Sequence, residues 1–120
     1  MPLLNYQKEF APLVESGEKR QTIRAFRKRP IKPGDRLYHY TGLRTKQCRK
    51  LLESDCATTD RIKIYKNGNV RINATLLYES VKESLAFDDG FRRPGHEWED
   101  MLAFFMTVHG LPFTGQLIRW

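Results

Sequence analysis

The segment Gly17-Glu-Lys-Arg-Gln-Thr-Ile-Arg24 gathers a lysine, a hydroxyl and two arginines around one isoleucine, where a helical pattern hands over to an extended one. If residues 20–24 are extended, successive side chains alternate in direction. Arg20, Thr22 and Arg24 then share one side, while Ile23 and the stem of Gln21 take the other. Lys19 sits at the turn and can swing toward Thr22. Such a cluster suits the reading of an anion or a nucleoside. It equally suits an amphipathic strand whose basic face is simply solvated.

The elements that must position this cluster follow from periodicity. Tyr6, Phe10, Leu13 and Val14 recur at helical spacing and Gly17 follows as a stop, which predicts a helix over 8–16. The run from Ala25 to Gly34 holds four cations and two prolines, so it reads as a surface loop that carries Arg27, Lys28 and Arg29. Pro33-Gly34-Asp35 turns into a strand at 36–40, with Leu37 and His39 facing one way and Tyr38 and Tyr40 the other. Residues 44–56 fit a helix or a bulged strand by period, and their neighbours favour strand. Arg61-Ile-Lys-Ile-Tyr65, Asn67-Gly68 and Val70-Arg-Ile72 spell a hairpin. Ser80 and Glu83 have capping-box spacing ahead of a helix over 81–88, which Gly90 closes. Trp98, Met101, Leu102, Phe105 and Met106 form the apolar stripe of a further helix that Gly110 stops. A terminal strand over 115–120 is expected to close the sheet.

At 120 residues the chain predicts one domain, 1–120, with a core that needs neither disulfides nor metal. Twenty-one Lys and Arg against fourteen Asp and Glu leave a net charge of +7, which favours polyanionic partners. Nothing near the N-terminus reads as a signal peptide and no apolar run approaches a membrane span, so the expectation is a cytoplasmic protein with no membrane partner. Cys48 and Cys56 lack zinc-site spacing, and two buried reduced thiols are expected. His39, His96 and His109 are scattered, so no metal site and no cofactor are predicted.

Taken in order, a helix, G-x-K-x-x-T-x-R, a basic loop, P-G-D before a strand, Ala86-Phe-Asp-Asp-Gly-Phe91 and a closing F-x-G-x-L-I-x-W resemble the ASCH domain family of the PUA-like superfamily, over Phe10 to Trp120. The resemblance implies an α+β fold: a PUA-like closed β-barrel of about five or six mostly antiparallel strands with two or three covering helices. It also implies recognition of RNA or a modified nucleoside. Some members are 4-acetylcytidine amidohydrolases that use a lysine, a threonine and an acidic residue. These fall here on Lys19, Thr22 and Asp89, where those enzymes carry glutamate at the last position.

Amide hydrolysis needs a nucleophile, a base and an oxyanion partner. Thr22 can attack, and Lys19 can take its proton if desolvation or the neighbouring Arg20 lowers its pKa. Arg24 or a backbone N–H can face the oxyanion, and Asp89 can orient the lysine or relay a proton to the leaving amine. Binding asks for less: a cleft lined by Arg20, Arg24, Arg27, Lys28 and Arg29, with Tyr38 or Tyr40 to stack on a base, would hold a nucleotide without turnover. A non-catalytic RNA-binding module is therefore the alternative to the hydrolase. A ribonuclease ranks third, because no histidine pair is in view. The expected protein is a monomer.

Overall fold

The structure is a computed structural model that describes residues 2–120. Strand β1 (Leu3–Tyr6) leads into helix α1 (Ala11–Ser16) and strand β2 (Gln21–Ala25). Four strands follow in succession, β3 (Arg36–Thr41), β4 (Arg49–Asp55), β5 (Thr58–Ile64) and β6 (Val70–Ile72), and then the short β7 (Thr75–Leu76). Helices α2 (Glu79–Asp88) and α3 (Glu97–Val108) precede the last strand, β8 (Phe113–Arg119).

Among the described residues, the eight strands form two sheets, ordered β1-β3-β4 and β2-β8-β5-β6-β7. The β1–β3 pair is parallel and the other pairs are antiparallel. The fold is thus α+β, with three helices, but the hydrogen-bonded ladders do not join into the closed ring of five or six strands that the resemblance implies. No helix among the described residues is long and apolar enough to cross a membrane.

The larger sheet is buried on both faces, and β8 shows why. Leu117 and Ile118 point to opposite sides, as neighbours in a strand must. Leu117 joins Ile23, Ile62 and Ile64 against Leu85, Trp98, Met101 and Phe105 of the two long helices. Ile118 joins Leu4, Tyr6 and Leu37 of the smaller sheet and Val14 of α1. The layers therefore run small sheet, large sheet, helix pair. Each fully buried Leu or Ile contributes about 2 kcal/mol of apolar transfer, so both cores hold β8 from either side. The terminal strand accordingly lies between β2 and β5 and does not close an edge.

Several local expectations need correction. Tyr6 belongs to β1, where Leu4 and Tyr6 are buried and Leu3 and Asn5 exposed. An alternating pair was masked by the helical spacing to Phe10. Helix α1 is shorter than 8–16, with Pro12 in its first turn and Gly17 as a left-handed cap at φ 83°. Ser80 caps nothing: Tyr78 is the N-cap of α2, and Glu83 Oε2 accepts the Trp98 backbone N–H at 3.1 Å, tying α2 to the start of α3. Met106 is exposed at the margin of the α3 stripe. Cys56 is buried and Cys48 exposed, both as free thiols. Residues 49–55 are the expected strand, and the β3–β4 register slips between His39 and Tyr40. The hairpin pairs Ile64 with Val70 around Asn67-Gly68.

Gly115 marks the tightest approach in the large sheet, since a Cβ there would lie 2.2 Å from the carbonyl oxygen of Arg24. Gly115 pairs with Ala25 on one side and Ile62 on the other, so neither neighbour can yield without parting a ladder. Gly115→Ala is expected to lower unfolding free energy by about 3 kcal/mol in denaturant melts, at the upper end of overpacking costs. A change below about 0.5 kcal/mol would show that the strands separate freely.

Candidate functional site

The left-handed turn at Gly17 directs the chain so that the Lys19 backbone N–H bonds to Leu13 O at 2.9 Å and its side chain runs inward, only 2% exposed. Asp89 meets it from the far end of the chain, as the C-cap of α2. Lys19 Nζ lies 3.3 Å from Asp89 Oδ1 and donates to the Asp89 backbone carbonyl at 2.5 Å. Gln21 Nε2 donates to the same Oδ1 at 3.3 Å and to Leu85 O at 3.2 Å. Gly90 makes the approach feasible. At φ 110° it takes a conformation that side chains disfavour, and a Cβ there would strike Phe10 at 2.7 Å.

Thr22 and Arg24 share the other face of β2. Arg24 Nε donates to Thr22 Oγ1 at 2.9 Å, one of its Nη groups donates to Asn5 O at 2.7 Å, and the guanidinium lies 4.9 Å from the centre of the Tyr6 ring. Because β2 is an edge strand, side chains from both its faces can reach a space beside it. That space is a hollow of about 260 Å³, with Lys19, Thr22, Arg24 and Asp89 on its polar side along with Asn5, Tyr6, Gln7 and His109. Phe10, Phe91, Phe104, Phe105, Val108 and Ile23 supply the apolar side. Phe10, Phe91 and Phe104 meet edge to face at 5.4–6.3 Å between ring centres, which makes a firm aromatic wall.

Burial dominates the electrostatics. It pushes the Lys19 amine below its usual pKa, against the pull of Asp89, with Arg24 and Arg92 adding to the depression. It pushes the Asp89 carboxyl up, against the pull of Lys19 and the Gln21 hydrogen bond. The Tyr6 phenol is also raised by burial and so keeps its proton. Both members of the ion pair are thus drawn toward their neutral forms.

The three residues taken from the resemblance, Lys19, Thr22 and Asp89, all line this one hollow. The expected basic cleft, by contrast, divides. Arg24 alone of the cations in it enters the hollow. Arg27, Lys28, Arg29 and Tyr38 line a separate groove of about 570 Å³ with Pro2, Pro30, Asp35 and Arg36. Arg20 precedes β2 and is exposed beside Glu18, Asp88 and Trp120, so it neither shares a side with Thr22 nor acts on Lys19. Tyr40 lines neither space. Arg92 bridges Phe87 O and Glu18 O at 2.8 and 3.0 Å, and Arg93 grips Asp100 at both oxygens.

Gln21, Tyr6 and the aromatic wall were not singled out from sequence. Gln21 carried a signal, because alternation set it on the inward side with Ile23, where a polar head needs partners. The chain matches no family model, no curated protein and no solved structure.

Lys19→Met keeps most of the side-chain bulk but leaves Asp89 buried beside Gln21 alone. Breaking a buried pair from one side costs about 3–5 kcal/mol, and that loss is expected near neutral pH. Asp89, with a pKa raised above the ordinary 3.8, is tolerated when protonated and destabilises the fold once pH climbs through its folded value. The deficit should therefore shrink as pH falls toward about 4, by comparison of denaturant melts with the parent chain. An equal deficit at both pH values would contradict the buried carboxylate as its source.

Proposed function

We propose that this protein is a PUA-like domain of the ASCH type that takes the base of RNA or of a modified nucleoside into its hollow and hydrolyses an acylated cytidine. On this reading the two sheets are an opened form of the family's barrel. The observation that carries it is the convergence of Lys19, Thr22 and Asp89 on one aromatic-walled space. A nucleobase has two flat apolar faces and a polar edge, and the hollow offers both kinds of surface.

The geometry supports a division of labour. A neutral Lys19 amine has two N–H groups and one lone pair. The N–H groups face the Asp89 carbonyl and carboxyl, and the lone pair remains for a proton from Thr22. Thr22 Oγ1 forms the bond to the acyl carbon as its proton passes to Lys19, and the carbonyl electron pair moves onto oxygen. Collapse then breaks the C–N bond, and the exocyclic nitrogen leaves with the proton returned from Lys19, assisted by Asp89. Water attacks the resulting threonyl ester, releases the carboxylic acid and restores the hydroxyl. Although aspartate is one methylene shorter than glutamate, the α2 end and Gly90 bring it within 3.3 Å of Lys19.

Purified protein incubated with 4-acetylcytidine is expected to release cytidine, and Lys19→Ala and Thr22→Ala are each expected to reduce the rate by at least about 100-fold. Chromatography of the nucleosides reads this directly. Absence of free cytidine with the parent protein would overturn the hydrolase reading.

One observation favours the second reading, a binding module without turnover: the separate groove with Arg27, Lys28, Arg29, Arg36 and Tyr38 on its walls. If it binds single-stranded RNA, affinity for a short oligonucleotide should fall steeply with salt. Replacing Arg27, Lys28 and Arg29 together should reduce the slope of log affinity against log salt by about 2. Fluorescence anisotropy measures both, and a flat response in the parent would exclude polyanion binding.

A further inference from the structure

Gln21 sits at the ion pair, and the scheme above gives it no task. It is 3% exposed in β2, where the ladder to Arg119 fixes its backbone. Its Nε2 lies 3.2 Å from Leu85 O and 3.3 Å from Asp89 Oδ1. Both are acceptors, so the amide must turn its two N–H groups toward them; a flipped amide would set oxygen against oxygen twice. Leu85 O also takes the Asp89 backbone N–H at 3.0 Å, and the glutamine therefore grips the main chain and the carboxyl of the same cap. On its other side Gln21 lines a groove of about 290 Å³ with Glu18, Arg20, Asp88, Arg119 and Trp120, which neither Lys19 nor Asp89 reaches.

The two carboxyl oxygens of Asp89 are not alike. Lys19 Nζ lies 3.3 Å from Oδ1, so two donors share that oxygen. Oδ2 receives no hydrogen bond among the described residues, yet it is not sealed in: the buried side-chain oxygen left without a partner among them is Glu97 Oε1. The Asp89 side chain is 9% exposed and lines the hollow. We propose that Gln21 is a positioning residue for Asp89: by holding Oδ1 in place together with Lys19, it leaves Oδ2 as the oxygen that meets the bound base. This deepens, and rests on, the hydrolase reading of the same site.

The proton order follows. With two N–H groups aimed at Oδ1, a protonated Asp89 has Oδ2 left for its proton, and Oδ2–H becomes a donor toward the hollow. A donor there fits a ring nitrogen that accepts, such as N3 of cytosine beside the acylated exocyclic nitrogen. It opposes a ring nitrogen that already carries hydrogen, as in uracil. A hydrogen bond to N3 draws charge from the C–N bond as it breaks, while the leaving nitrogen takes its proton from Lys19 as before. No proton need leave Asp89 in that step.

In the full chain with ¹³C-labelled aspartate carboxyls, Gln21→Met should raise the apparent pKa of Asp89, because a hydrogen bond to the charged form is lost. An unchanged or lower value would overturn the proposal. Lys19, Arg24 and Arg92, the cations that act on the pair, stay in the variant, as do Tyr6 and His109 on the walls and the charges around the groove. In the parent, the Gln21 side-chain N–H resonances should move with the same midpoint as the carboxyl. A Gln21 amide that ignores this titration would overturn the proposal even where the variant does not fold. The 3-deaza analogue of 4-acetylcytidine has C–H in place of N3, and Gln21→Met should cut the parent's kcat/KM preference for 4-acetylcytidine over it by about tenfold. An equal preference in the two folded proteins would also sink the idea, since a merely structural glutamine would slow both substrates alike. If the parent protein shows no turnover, the hydrolase reading falls, and the two titrations still decide whether Gln21 holds the carboxyl.

Discussion

Lys19 and Asp89 stand 70 positions apart in the chain, and nearly everything about the site follows from the need to bury them together. Taking an amine and a carboxyl out of water costs several kcal/mol each unless partners surround them. The fold supplies those partners from separate places: a main-chain carbonyl at the end of α2, a glutamine from β2, and the Phe10 and Tyr6 rings at 5.3 and 5.9 Å from Lys19 Nζ. Gly17 and Gly90 supply the turns. The pair links the small sheet and α1 side of the protein to the helical layer, so it serves as a structural tie as well as a chemical feature.

The basic composition has a structural share that charge counting overlooks. Arg24 and Arg27 donate to the Asn5 and Leu3 carbonyls along the outer edge of β1, and Arg92 fastens the α2 end to the turn before β2. These guanidinium groups satisfy exposed main-chain acceptors that an edge strand or a helix end would otherwise leave to water. The cations around the separate groove at Lys28, Arg29 and Arg36 are the ones whose charge is turned outward, although Arg36 also pairs with Glu53 and Asp55.

What could be read from sequence was what local pattern controls. The Asn67-Gly68 hairpin, the α3 stripe through Trp98, Met101 and Phe105, and the turn at Gly17 all depend on residues close together in the chain. Lys19, Thr22 and Asp89 came from a resemblance of spacing, and no local rule would have joined them. What escaped depended on neighbours distant in sequence. Tyr6 was lost to a coincidence of helical spacing, because only its parallel partner in β3 makes residues 3–6 a strand. Ser80 and Glu83 had the right spacing for a cap, but Trp98 outbid the backbone for that carboxylate. Arg20 was placed by strict alternation, which fails at the first residue before a strand begins.

β2 carries Thr22 on the margin of the larger sheet, with β8 on one flank and no strand on the other. Half of its main-chain amides and carbonyls are therefore not committed to a ladder. A flat heterocycle entering from that flank would meet peptide groups in the same plane as its own ring nitrogens and oxygens. On the proposed nucleoside reading, discrimination among bases draws on the polypeptide spine itself, which side-chain substitutions leave intact.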